Sequence, residues 1–276
     1  MMDETRQVAD TYDRDPGYEW GRLERDAYHS LEYRVTLHFL RKHLPTSGQI
    51  LDAGGGPGRY ALTFCRMGYR VHLLDISAGN IQLAREKFAS ESETVQQCLV
   101  DAAVGDMRDL SRFGDESFDA VLCLGGPLTH ISSAVDRRKA VGELVRVVKP
   151  GGIVAISVVG YLAVLRTIMA QLSDELLAPH FLKLLQSGDA PGPTHTIWHF
   201  FRAAELRALA ESFTLETLEM AGCQGLSSNL IEATNQVATE PRKWKRWNEL
   251  VLQTATDPAV VDTSEHILYI GRKVKV

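Results

Sequence analysis

The chain has 276 residues, 45% of them apolar and 24% charged, which is ordinary globular composition and excludes collagen-like, coiled-coil and disordered classes. Its 30 basic and 35 acidic residues leave a net charge of −5, which argues against a dedicated nucleic-acid or anionic-membrane surface. At roughly 100–200 residues per domain, one large domain or a domain with an elaborated cap is expected, large enough to fold without disulfide or metal staples.

The start, MMDETRQVAD, is acidic and polar, unlike a secretory or transit peptide. From Glu24 to Leu44 the apolar positions Ala27, Leu31, Val35 and Phe39 recur every four residues, so an amphipathic helix is predicted, stopped by Pro45 and Ser47-Gly48. Short apolar runs follow at Gln49–Ala53, Arg70–Asp75, Val95–Val104, Phe118–Leu124 and Gly152–Val159, with helical stretches near 57–67, 77–90 and 134–148. This alternation predicts βαβ units around a parallel sheet. Tyr161–Gln186 reads as helical, His195–Arg202 as a strand, Ala203–Ser212 as a helix, and Thr214–Met220 with His266–Val274 as a closing strand pair. A polar insertion at about 225–264 and the 160–195 segment are expected to form a lid together. The longest apolar stretch, Ile153–Leu165, is too short for the ~20 residues of a membrane helix. Cys65, Cys98, Cys123 and Cys223 form no CxxC pair, which points away from zinc or a redox couple and fits a reducing, cytoplasmic setting, with Cys65 and Cys123 as buried hydrophobes.

The clearest chemical signal is Ile50-Leu-Asp-Ala-Gly-Gly-Gly-Pro-Gly-Arg-Tyr-Ala-Leu62. A strand ending at Asp52 meets a helix beginning near Arg59 through a loop holding Gly54, Gly55, Gly56 and Gly58, so the backbone and free helix amides can approach a ligand. The dinucleotide fingerprint GxGxxG, read from Gly54, requires Gly or Ala where Arg59 stands, which counts against NAD and FAD. Asp75 ends the next strand 21 residues after Gly54, where a carboxylate can accept ribose hydroxyls. Gly105-Asp-Met107 offers an acid beside an apolar side chain: Asp106 could meet an adenine amino group and Met107 its ring, or the pair is a plain turn.

Five segments stand in one order: Asp52-Ala-Gly-Gly-Gly-Pro-Gly58, Leu74-Asp-Ile-Ser77, Gly105-Asp-Met107, Phe118-Asp-Ala-Val-Leu-Cys-Leu-Gly125 and Leu144-Val-Arg-Val-Val-Lys-Pro-Gly-Gly152. Together, over roughly residues 48–160, they resemble class I S-adenosylmethionine-dependent methyltransferases, in the small-molecule group similar to ubiquinone-biosynthesis methyltransferases. The resemblance implies an α/β, Rossmann-like sheet of seven strands in the order 3-2-1-4-5-7-6, strand 7 antiparallel, with helical lid insertions. It implies an arm and helix at 1–47, a cofactor core at 48–160, and lid helices with the rest of the sheet at 161–276. Gly54, Gly56 and Gly58 would line the methionine moiety near Asp52 and Gly55, Asp75 with Ile76 the ribose, Asp106 and Met107 the adenine, and Leu124 and Gly125 the sulfonium. The expected cofactor is S-adenosyl-L-methionine and the expected partner a small-molecule methyl acceptor, with no nucleic acid and no membrane.

A methyl on a sulfonium is already activated, so the protein has mainly to align donor and acceptor and exclude water; no nucleophile pair or metal constellation is written. His130, after the fourth strand, is a candidate general base or substrate contact, or a structural loop histidine. His195 and His199 would lie about 13 Å apart on a strand, too far for one ion. Tyr12, Tyr18, Trp20 and Tyr28 belong to a segment similar to the family's cofactor covers or to an ordinary docking arm; with His195 and Trp198 they are the acceptor-side candidates. Arg242-Lys-Trp-Lys-Arg-Trp247 interleaves basic and aromatic residues, as a nucleic-acid surface or a solvated helix face would. Methylation of RNA or protein, and a non-catalytic cofactor-binding regulator, stand as alternatives.

Overall fold

The computed structural model describes residues 4–193 and 196–275. The chain opens with α1 (Glu4–Tyr12), α2 (Pro16–Arg22) and α3 (Ala27–His43), and continues as β1 (Gln49–Ala53), α4 (Arg59–Arg66), β2 (Arg70–Asp75), α5 (Ala78–Ala89), α6 (Glu93–Cys98) and β3 (Leu99–Val104). Then come β4 (Phe118–Cys123), α7 (Ala134–Val147), β5 (Val148–Val159), α8 (Tyr161–Gln171), α9 (Phe181–Ser187), β6 (Asp189–Pro191) and β7 (Ile197–His199). Last are α10 (Ala203–Glu211), β8 (Leu215–Gly222), α11 (Ile231–Ala238), α12 (Pro241–Thr254), α13 (Pro258–Thr263) and β9 (His266–Lys273).

Seven strands form one sheet in the order β3-β2-β1-β4-β5-β9-β8. The pairs from β3 to β5 are parallel, and β9 runs antiparallel to both neighbours. With β8 and β9 counted as sixth and seventh in this sheet, the order is the expected one. Two apolar layers flank it. One packs α3, α4, α5 and α12 through residues such as Phe39, Phe64, Ile81 and Val251; the other packs α7 and α10 through Leu144, Val147 and Leu206. Fully burying one such side chain contributes about 1.5–3 kcal/mol. All four cysteines are free, and burial pushes the thiols of Cys65, Cys123 and Cys223 up to about 12, as hydrophobes rather than nucleophiles.

Three readings of the sequence change. Val95–Cys98 belongs to α6 and only Leu99–Val104 is strand; the run is amphipathic over one turn, and Glu93 favours the helix start. Of the predicted strand at His195–Arg202, the described part from Thr196 on is strand only over Ile197–His199, which pairs antiparallel with β6 apart from the main sheet. The polar insertion divides: Ser228 and Asn229 meet α8, Arg166 Nη2 donating to Ser228 O at 3.1 Å and Asn229 Nδ2 to Thr167 Oγ1 at 2.8 Å, while α12 packs elsewhere. Trp244 and Trp247 of α12 pack on the α3 side of the core, and Trp247 Nε1 donates to Ser227 Oγ at 2.8 Å. By contrast α8, α9 and the β6–β7 pair build a small cap around Ile168, Leu184, Ala190 and Phe200.

Candidate functional site

The loop after β1 folds back on β2: the amides of Gly54 and Gly55 donate to Leu74 O at 2.7 and 3.2 Å. Gly54 has φ +76°, and a Cβ there would lie 2.7 Å from Pro127, so only glycine lets the loop after β4 come this close. Gly58 opens α4 at φ +82° and a Cβ would press on Leu73 at 3.1 Å; it lies off the cavity and serves helix–strand packing, unlike Gly54, Gly55 and Gly56. A cavity of about 1020 Å³, mouth included, runs along this loop and on to Asp75, Ile76, Asp106, Met107, Leu124 and Gly125. Helices α1 and α2 roof it with Val8, Tyr12, Glu19 and Arg22.

Asp75 is buried and takes three donors: the Gly56 amide on Oδ2 at 2.8 Å, and on Oδ1 the Ser77 amide at 2.9 Å and Asn80 Nδ2 at 3.3 Å. Burial raises its carboxyl above the usual range and these donors pull it back. A carboxylate has about four acceptor sites, so Oδ2 keeps one for a ligand, which narrows the expectation of two ribose hydroxyls to one strong bond. Asp106 reaches the cavity, but its oxygens are held by Arg108, through the amide at 2.8 Å, Nε at 3.0 Å and Nη2 at 2.5 Å. Asp52 does not reach the cavity. Fully buried behind Gly55, it has neither oxygen in a well-formed hydrogen bond. Burial and the nearby Asp75 charge push its carboxyl up to about 7, offset in part by the Ala61 amide.

A second cavity adjoins the first. Tyr12, Glu19, Arg22, Gly125 and His130 belong to both, and the second continues along Val159, Ala163, Val164, Thr167, Trp198, Glu265 and His266, among others. His130 sits on the 3-10 turn Pro127–His130 after β4. Its Nε2 shares a 2.9 Å hydrogen bond with Tyr12 Oη, Trp198 stands edge-on at 4.5 Å, and Nδ1 is buried without a partner. Burial pushes the imidazole down to about 4, so it is neutral at pH 7 and a weak proton acceptor. Arg22 joins the walls: Nε donates to Glu19 at 2.9 Å and Nη1 to Glu32 at 2.6 Å. Burial weighs against its charge, and Glu32 and Glu19 more than restore it.

Three acceptor-side candidates lie elsewhere. Tyr18 is 55% exposed, its hydroxyl accepting from Arg25 at 2.8 Å, and its amide donates to Asp15, which caps α2. Trp20 lies under Arg59 at 4.2 Å and Lys87 at 5.0 Å, as cation–π packing that fastens the arm. Tyr28 is buried in the core, its hydroxyl accepting from the Asn229 amide at 3.1 Å. His195 lies outside the described residues, while Trp198 and His130 do face the second cavity. Sequence reasoning missed Glu19, Arg22, Asn80, Ser157 (whose Oγ accepts from the Gly125 amide at 2.7 Å) and Glu265. Only the spacing of Glu19 and Arg22 on one helix turn carried a signal. No group of three or more metal-ligating side chains occurs among the described residues.

The cavity suits a nucleoside with a charged tail: a glycine loop at a helix start, a buried acid with one free acceptor site, and an apolar Met107 face. A model of the methyltransferase domain matches residues 50–152. A ubiquinone biosynthesis O-methyltransferase from Thiobacillus denitrificans is 30% identical over 68% of this chain and 73% of its own length. A glycine/sarcosine N-methyltransferase from Aphanothece halophytica is 33% identical over 38% of each chain, so this chain spans under two-fifths of that relative's length. A solved S-adenosylmethionine-dependent methyltransferase from Methanosarcina mazei shares the fold at TM-score 0.61 and 21% identity, covering 86% of this chain and 98% of that one. With the motifs, the sheet order and these likenesses in agreement, the chain belongs to the class I S-adenosylmethionine-dependent methyltransferases, whose cofactor is S-adenosylmethionine.

Proposed function

We propose that this chain transfers a methyl group to a small molecule bound in the second cavity. The observation that carries this reading is the shared wall: Tyr12, Arg22, Gly125 and His130 border both cavities. S-adenosylmethionine, when bound, supplies a methyl group on a sulfonium. Oδ2 of Asp75 would take a ribose hydroxyl and Met107 would pack on the adenine, while the arm from α1 to α2 would exclude water above both. The α8 segment and Trp198 close the acceptor side as its lid. Alignment can contribute roughly 7–11 kcal/mol to the barrier. His130, neutral and tied to Tyr12, orients the acceptor and holds little of the proton's charge.

RNA as acceptor is disfavoured by α12, where Trp244 and Trp247 are partly buried against the core instead of standing free as a stacking platform. The test is transfer of labelled methyl to small-molecule, RNA and protein pools in parallel. Label in the small-molecule pool alone is expected; label only in macromolecules, or binding of the cofactor with no transfer to any pool, would reject the reading.

A further inference from the structure

The charges around the second cavity bear on what it accepts. Its wall carries Glu19, Arg22 and Glu265, with His130 and His266. Arg22 is already committed to Glu19 and to Glu32, which stands behind the wall. His266 Nδ1 lies 3.4 Å from Glu32 and 2.9 Å from the Gln224 amide. Glu265 makes no ion pair among the described residues. Its hydrogen bonds come from neutral groups, the Tyr28 hydroxyl and, at 3.5 Å, Asn229 Nδ2. On this wall one cation, Arg22, stands with two carboxylates, Glu19 and Glu265, while Glu32 holds Arg22 from behind. The remaining wall is apolar, from Val159, Ala163, Val164 and Trp198, and the partnerless Nδ1 of His130 lies at the junction.

An anionic acceptor would bring negative charge up to Glu265, a half-buried carboxylate without an ion pair among the described residues, since Arg22 is held by Glu19 and Glu32 and Arg166 of α8 donates to Ser228 O. A cation would complete the balance. The chemistry points the same way, since positive charge leaves sulfur and develops on the accepting atom, and a carboxylate beside a nitrogen stabilises that change. We propose that the acceptor is a small amine, its nitrogen held at Glu265 and an apolar or aromatic arm lying against Trp198 and Val164. This rests on the methyltransferase reading. The ammonium gives one proton to solvent. The nitrogen lone pair then bonds the methyl carbon as the carbon–sulfur bond breaks, its electron pair stays on sulfur as a neutral thioether, and the methylated nitrogen carries the positive charge to Glu265.

The test uses the full chain saturated with S-adenosylhomocysteine, titrated calorimetrically with 2-phenylethylamine, 2-phenylethanol and 3-phenylpropanoate, followed by labelled methyl transfer to the same three. The amine is expected to bind at least about tenfold tighter than the alcohol, with no binding of the carboxylate, and to be the one methylated. Glu265→Gln keeps the volume and still accepts from Tyr28; it should weaken the amine about 10- to 100-fold and leave S-adenosylhomocysteine affinity unchanged, which also reports that the variant is folded. Equal or tighter binding of the alcohol or carboxylate, no binding of the amine, or an amine advantage that survives in Glu265→Gln would overturn the proposal. Failure of S-adenosylhomocysteine itself to bind would instead remove the methyltransferase reading beneath it.

Discussion

At the scale of single residues, Asp52 and Asp75 show how one loop uses two buried acids differently. Asp75 is satisfied by Gly56, Ser77 and Asn80, so Asp75→Ala removes a ligand contact and strands three donors. Cofactor affinity should fall about tenfold, and stability by about 1–3 kcal/mol in denaturant titrations. A folded variant with unchanged affinity would remove the ribose role. Asp52 lacks such partners, and its carboxyl is raised to about 7 by burial and by Asp75. A folded pKa above the unfolded value makes this acid favour the fold at low pH; that contribution is complete below about 4 and lost as pH rises through about 7. Asp52→Asn should therefore gain on the parent as pH rises, on the order of 4 kcal/mol across that window. Parallel stability curves at pH 4.5 and 8 would contradict it. For His130, held down to about 4 by burial, a flat profile between pH 6 and pH 8 is predicted. His130→Ala should slow turnover by less than about 10²-fold, equally at pH 6 and pH 8, with cofactor affinity kept. A larger, pH-dependent loss would make it a true base.

Among the elements, the arm from α1 to α2 lines the first cavity from above, and the prediction is that it opens for a ligand to enter. Asp13 Oδ1 accepts from Ser77 Oγ at 2.5 Å and from the Gly79 amide at 2.8 Å. Ser132 Oγ donates to Glu4 at 2.7 Å, and the Arg59 guanidinium donates to Trp20 O at 3.0 Å. Arg59, read in the sequence only as a mismatch to the dinucleotide pattern, is thus a clasp. Asp13→Ala should speed cofactor release and raise hydrogen exchange in residues 4–22, with little change in global stability; unchanged exchange and release would show that the arm is not the gate. Most elements were legible because periodicity and Gly/Pro breaks are local: α3, α4, α5, α7 and the closing strand pair fall within a few residues of expectation. The β6–β7 pair and the placement of α12 were not, because they depend on which apolar face finds a partner far along the chain.

For the whole molecule, the same contrast separates the two cavities. The first cavity was readable because it is built from strand-end loops whose residues lie together in sequence: Gly54 to Gly56, Asp75 with Ile76, Asp106 with Met107, Leu124 with Gly125. The second cavity gathers Tyr12, His130, Val164, Trp198 and Glu265, which no local pattern links. Their meeting is a property of the sheet order, since β5 and β9 pair with Val159 opposite His266 and bring Glu265 to the cavity edge. The central claim is that donor and acceptor meet where these cavities join. The most direct measurement is a crystal structure of the S-adenosylhomocysteine complex. The account predicts a ribose hydroxyl on Asp75, the adenine over Met107, and the sulfur at Gly125 facing the cavity of Trp198 and Glu265. A nucleoside bound elsewhere, or a sulfur turned away from that cavity, would contradict it.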